Sequence, residues 1–165
     1  MWLFLKNLAF TLIMPGSIGV WIPLWIASAR GRAPADAHPF PWTLGWIPVA
    51  IGACIYFWCL WDFASFGRAT PAPIDPPRHL VVRGLYRYAR NPMYVGVLSV
   101  ILGWCLLFDI GDLWIYFFLV ALGFNTFVML YEEPALKRLF GEEYAEYRRH
   151  VRRWIPGRPH SLDRR

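Results

Sequence analysis

Four long apolar stretches, 3–29, 42–63, 92–108 and 113–131, divide the chain, and polar residues collect between and after them. Within the stretches only Lys6 and Asp62 carry charge, each near an end. A helix crossing hydrocarbon needs about 20 mostly apolar residues, with about 17 as the lower limit. Each stretch therefore predicts a transmembrane helix, the third at the limit. Asp109–Asp112 leaves room only for a tight turn, so helices three and four form an antiparallel hairpin. Beyond Pro134 the pattern changes. Leu136, Phe140, Tyr144, Tyr147 and Val151 recur at helical spacing, while Lys137, Arg138, Glu142, Glu146, Arg148, Arg149 and Arg152 fill the other faces. That predicts an amphipathic helix over 134–151, lying on the membrane surface. Pro134 predicts an elbow between it and the fourth span, and Gly141 offers a further bend. The expected fold is all-α: a single polytopic domain over 1–165 with four spans and a C-terminal interfacial helix.

The first stretch contains Ala27-Ser28-Ala29, which has the form of a leader cleavage site. Its apolar run is far longer than the about 7–15 residues of a leader core, and Pro15 and Pro23 interrupt it. It predicts a retained, kinked helix whose freed carbonyls are satisfied by neighbouring helices.

Composition strengthens this reading. Hydrophobic residues make up 57% of the chain and charged residues 17%, against about 45–50% and about 25% in a soluble domain. A soluble enzyme, a disordered chain, a disulfide scaffold and a secreted domain are disfavoured. In a soluble protein the net charge of +6 would suggest nucleic acid. Here the basic residues sort by side. Lys6, Arg68, Arg78, Arg83, Arg87, Arg90 and every Lys or Arg after Tyr131 fall together, with only Arg30 and Arg32 opposite. The positive-inside rule then puts both termini in the cytoplasm, with the basic tail against anionic membrane lipid and no nucleic-acid partner. Cys54, Cys59 and Cys105 are odd in number and lack a CxxC spacing, and His38, His79, His150 and His160 are scattered. Inert thiols and no metal are expected.

Polar chemistry gathers in two places. The segment 64–91 opens with prolines over 70–77 and ends Gly84-Leu-Tyr-Arg-Tyr-Ala-Arg-Asn-Pro-Met-Tyr94, where Asn91 suits an N-cap and Pro92 the first helical position. Glu132 and Glu133 end the fourth span. The hairpin brings Arg90, Asn91 and Tyr94 opposite these acids across a helix–helix distance of about 8–10 Å. Carboxylates at a helix C-terminus are disfavoured by its dipole and require a cationic partner. Two readings fit. The arginines compensate the acids and anchor the hairpin, or the acids hold a cationic ligand while the arginine and helix N-terminal amides hold its anionic group.

Arg90-Asn91-Pro92-Met93-Tyr94-Val95-Gly96, an apolar stretch, then Glu132-Glu133 resembles the three-part signature of isoprenylcysteine carboxyl methyltransferases and their bacterial relatives. The lead-in from Gly84 and the tail from Glu132 to Val151 are similar to the same family, so the likeness covers about half the chain, Leu80 to Pro156. Asn91 stands where the family usually has His, a variant resembling the Asn-Pro-Met-Tyr of phosphatidylethanolamine N-methyltransferases, which also have four spans and a Glu-Glu-Pro elbow. Arg152 stands where the family often has Pro.

The resemblance implies S-adenosylmethionine as cofactor. Glu132 and Glu133 would meet its sulfonium and ammonium, and Arg90, Asn91 and Tyr94 its carboxylate. Pro92 and Gly96 belong to the same cofactor-binding element, Gly96 allowing close backbone approach or tight helix packing. Tyr144 and Tyr147 would close over the cofactor. Arg90, Glu132 and Glu133 are the catalytic candidates. The acceptor implied is lipophilic and membrane-borne: of the isoprenylcysteine-carboxyl type first, then phosphatidylethanolamine, then a small thiol. An amine acceptor must lose a proton, which a Glu with a raised pKa could take. Asp62 could approach an acceptor headgroup or be an ordinary interfacial residue. There is no GxGxxG motif. The rivals are a non-catalytic membrane protein and a sterol-type reductase using a nicotinamide cofactor.

Overall fold

The computed structural model describes residues 9–32, 42–67 and 80–159. Lys6, His38, the prolines of 70–77, His79 and His160 lie outside the described residues. Helix α1 runs Ala9–Ala29, and α2 runs Trp46–Asp62 after a 3-10 turn at Trp42–Gly45. Helix α3 is Pro92–Phe108 and α4 is Gly111–Phe127. A π turn, Val128–Glu132, carries α4 into α5, Glu133–His150. Among the described residues the only extended pairing is one parallel bridge between Ala89 and Arg152. Three helices, Ala9–Ala29, Trp46–Ser65 and Gly111–His150, are long and apolar enough to cross a membrane. Helix α3 is apolar but has 17 residues, about 25 Å of helix.

Helices α2 and α3 pack antiparallel on two glycine pairs. Gly45 meets Gly103 and Gly52 meets Gly96, so the pairs are one heptad apart on each helix. A Cβ on Gly45 would stand 2.7 Å from the Gly103 carbonyl oxygen, and one on Gly96 would stand 2.9 Å from that of Gly52. Small residues let the two backbones approach closely, and the many short contacts this allows supply the attraction at the crossing.

Helix α1 has its own device. A π turn at Ser17–Trp21 precedes Pro23, which has no N–H to give the preceding turn. The Tyr116 hydroxyl donates to the Ile18 carbonyl at 2.8 Å, and the Trp104 indole N–H donates to the Gly19 carbonyl at 2.9 Å. Neighbouring helices thus satisfy the freed carbonyls, as the sequence requires. At the same end as the α3–α4 turn, Arg30 donates to Asp112 at 2.6 Å. Both side chains are exposed, so this pair contributes about 1 kcal/mol or less. Asp109, in the left-handed region at φ 48°, ends α3 and makes the expected tight turn.

Two expectations are corrected. There is no elbow at Pro134, because Glu132 and Glu133 keep right-handed helical dihedrals. The π turn widens the backbone just before Pro134, as the other one does before Pro23, and the ring fits without a break. The chain bends instead at Gly141, whose φ of 52° and ψ of −121° favour glycine. The apolar face of α5 is also used differently. Tyr144, Tyr147 and Val151 are buried, with Leu80 and Val82 packed against them. The face expected on the bilayer covers the protein's own chain.

Candidate functional site

The site is built on the segment that leads into α3. Gly84 has φ 54°, and a Cβ there would collide with the Asp62 carboxylate and stand 2.9 Å from the Trp58 indole nitrogen. Asp62 is therefore sealed under this turn, 4% exposed, rather than displayed at the membrane surface. From the other side the Tyr147 hydroxyl donates to the Tyr86 carbonyl at 2.6 Å. The turn Gly84–Arg87 is held at both ends.

Beyond α5 the chain doubles back along this segment. Arg90 N–H donates to the Arg152 carbonyl at 2.9 Å, Asn91 N–H to that of Arg153 at 3.2 Å, and Gly157 N–H to that of Tyr88 at 2.9 Å. Asn91 holds the N-cap position of α3 and is 5% exposed, but its side chain makes no capping bond. Its amide donates instead to the Arg153 carbonyl at 3.2 Å.

The two acids follow the apolar run that ends at Tyr131, and their surroundings differ. The Glu133 side chain is 8% exposed and lies 3.0 Å from Arg90. Arg153 grips it with two bonds, 2.7 and 3.1 Å long, and Arg148 lies 3.9 Å away. Burial pushes the Glu133 carboxyl up, but the Arg153 bond and the charges of Arg90, Arg153 and Arg148 outweigh it, holding the group below its usual range. The Arg153 guanidinium is raised in turn by the same bond. Glu132 has one hydrogen bond among the described residues, from the Tyr94 hydroxyl at 2.9 Å. Burial pushes its carboxyl up, the Tyr94 bond opposes this, and the Glu133 charge adds to it. Neighbouring carboxylates are thus driven apart in proton affinity.

Arg90, Asn91, Tyr94, Glu132, Glu133 and Tyr144 converge, with Arg90 reaching the Tyr144 hydroxyl at 3.4 Å. Pro92 starts α3 beside them. Gly96 does not join them; it faces Gly52 in the α2–α3 crossing. Sequence reasoning missed Arg153 and Trp154. The Trp154 indole N–H donates to Asn125 at 3.1 Å, and its ring stands 6.4 Å from that of Tyr94. The only available signal was a Trp inside a basic run, and nothing in its spacing points at Glu133. Two cavities flank the cluster. One, of about 360 Å³, is lined by Lys137, Glu142, Tyr144, Ala145, Arg148 and Arg149. The other, of about 560 Å³, includes Trp58, Arg87, Pro92, Val95 and Trp154 in its lining.

The phospholipid methyltransferase family matches residues 41–143, and the chain belongs to that family, an integral-membrane methyltransferase group. An uncharacterized protein of Haemophilus influenzae is similar, with 35% identity over 63 residues, which are 38% of this chain and 100% of that protein. No solved structure matches the chain. With three apolar helices long enough to cross a bilayer, the protein is an integral membrane methyltransferase.

Proposed function

We propose that the protein transfers a methyl group from S-adenosylmethionine to a lipid-borne acceptor at the cytoplasmic face. In this reading all four helices cross the bilayer, both termini are cytoplasmic, and residues 1–165 form one domain. The observation that carries it is the unequal acid pair. Three guanidinium groups neutralise Glu133, whereas Glu132 retains lone pairs for a cation.

The residues fit the cofactor. Glu132 suits its sulfonium and ammonium. The Nε of Arg90 is buried without a hydrogen bond, an unused donor for the carboxylate. The polar cavity bounded by Tyr144 and Arg148 lies on the Arg90 side of the cluster, where Arg90 reaches the Tyr144 hydroxyl. Asn91 and Tyr94 fix the neighbouring groups, Pro92 and Gly96 set the path of α3, and Tyr144 closes one side. S-adenosylmethionine held there would supply an electrophilic methyl group to the lone pair of the acceptor. The protein's main task is to align the reactants, which can lower a barrier by about 7–11 kcal/mol.

Glu132 also favours one acceptor class. A prenylcysteine carboxylate needs no base, but an amine must give up a proton, and the half-buried Glu132 carboxylate, its proton affinity raised by desolvation, can accept it. An amine-bearing phospholipid is therefore the acceptor proposed, ahead of an isoprenylcysteine.

Titrating S-adenosylhomocysteine into the detergent-solubilised protein tests the assignment by heat release. Wild type binds; Glu132→Gln binds about ten- to a hundredfold more weakly, the effect of losing about 1.5–3 kcal/mol from one charge-assisted contact. Wild-type affinity in Glu132→Gln removes that residue from the site. A folded wild type that binds nothing leaves the cluster as a structural anchor.

A further inference from the structure

The 560 Å³ cavity is apolar on nearly every side, walled by Ile55, Trp58, Leu85, Pro92, Val95 and Trp154. Arg87 is the one charged residue in its lining. Among the described residues no carboxylate pairs with Arg87, and its Nε is buried without a hydrogen bond. A guanidinium partly removed from water without a counter-charge is unfavourable, and an incoming anion would relieve it. Ordinarily such a side chain snorkels to water. Here the turn that carries it is fixed. Asp62 and Trp58 lie under Gly84, and Tyr147 holds the Tyr86 carbonyl. The cation therefore lines an otherwise apolar chamber, close in sequence to Arg90 and Asn91.

The geometry points to Arg87 as the residue that sets acceptor specificity, its guanidinium pairing with the phosphodiester of a glycerophospholipid whose chain lies against Trp58, Val95 and Trp154. This rests on the methyltransferase reading above. The planar fork of Arg matches two phosphate oxygens, and the cavity supplies the low-dielectric wall that strengthens such a pair. A phosphodiester is anionic at a point separate from the headgroup amine, so anchoring it leaves the amine free to reach Glu132. A prenylcysteine carboxylate would be anion and nucleophile at once, and pairing it with Arg87 would mask the attacking oxygen.

Short-chain probes isolate this contact. Dihexanoyl phosphatidylmethanol and dihexanoyl glycerol differ by the phosphodiester alone, and N-acetyl-S-farnesylcysteine offers a carboxylate. Their binding is measured on the full-length protein in detergent as wild type, Arg87→Gln and Arg87→Lys, with S-adenosylhomocysteine titrated separately into each. Wild type should prefer the phosphodiester over the neutral glyceride by tenfold or more. Arg87→Gln should erase that preference, Arg87→Lys should keep part of it, and the S-adenosylhomocysteine affinity should be equal in all three. A preference that survives in Arg87→Gln overturns the proposal, and so does a loss confined to the farnesylcysteine. Failure of wild type to bind S-adenosylhomocysteine would sink the methyltransferase reading alone, since the phosphodiester preference is read without it.

Discussion

Glu133→Gln should lower the unfolding free energy of the protein in detergent by about 3–5 kcal/mol, the loss typical of removing one partner from a buried ion pair. The carboxylate is 8% exposed, with Arg90 3.0 Å away on one side and Arg153 bound through both oxygens on the other. The neutral amide would leave two guanidinium groups beside each other with no negative charge between them. Arg148, half exposed and 3.9 Å away, contributes little of this. The pH dependence follows from the sign of the shift. A carboxyl lowered in the folded state stabilises fully above its unfolded pKa, and the contribution is lost as pH falls through the lower folded value. Thermal unfolding should therefore show a wild type that weakens in acid below the ordinary glutamate range. The Gln variant should be weak at neutral pH and lack that acid step. Equal stability at neutral pH would show that the cluster does not hold the tail to the hairpin.

The second large effect is steric. Gly52→Leu should separate α2 from α3, because a Cβ there meets the Gly96 carbonyl and comes within 2.8 Å of the Val100 nitrogen. Those are backbone atoms of a facing helix, so no side-chain rotation relieves the overlap. Overpacking usually costs about 1–3 kcal/mol and more where backbones must part, and the value expected here is about 3 kcal/mol or higher. Gly123→Leu is the control, since nothing lies within 4 Å of a Cβ at that position. Circular dichroism and size-exclusion behaviour in detergent should separate the two variants clearly. Since Leu is a better helix former than Gly, similar loss in both would contradict a steric effect at the crossing.

What could be read from the sequence was whatever depends on local pattern or on order along the chain. Apolar length gave the helices, and the short Asp109–Asp112 connection forced Arg90 and Tyr94 opposite Glu132 and Glu133. The prolines of α1 implied borrowed hydrogen bonds, and Tyr116 and Trp104 supply them. Contacts made by a returning chain were invisible. Arg153 reaches Glu133 only because Ala89 and Arg152 bridge, and a bridge of one residue pair leaves no periodic trace. The glycines at 45, 52, 96 and 103 were visible as residues, but their pairing exists only across two helices. Periodicity in α5 showed that one face is covered without showing by what, so Leu80 and Val82 were missed. The Pro134 elbow failed because a π turn absorbs the ring.

The most direct measurement of the central claim is transfer itself. Full-length protein in detergent is incubated with methyl-labelled S-adenosylmethionine and a total membrane lipid extract, and the lipid fraction is resolved by mass spectrometry. Label is expected in an amine-bearing phospholipid, and none when Glu132→Gln replaces wild type. A folded wild type that leaves every lipid unlabelled would contradict the claim.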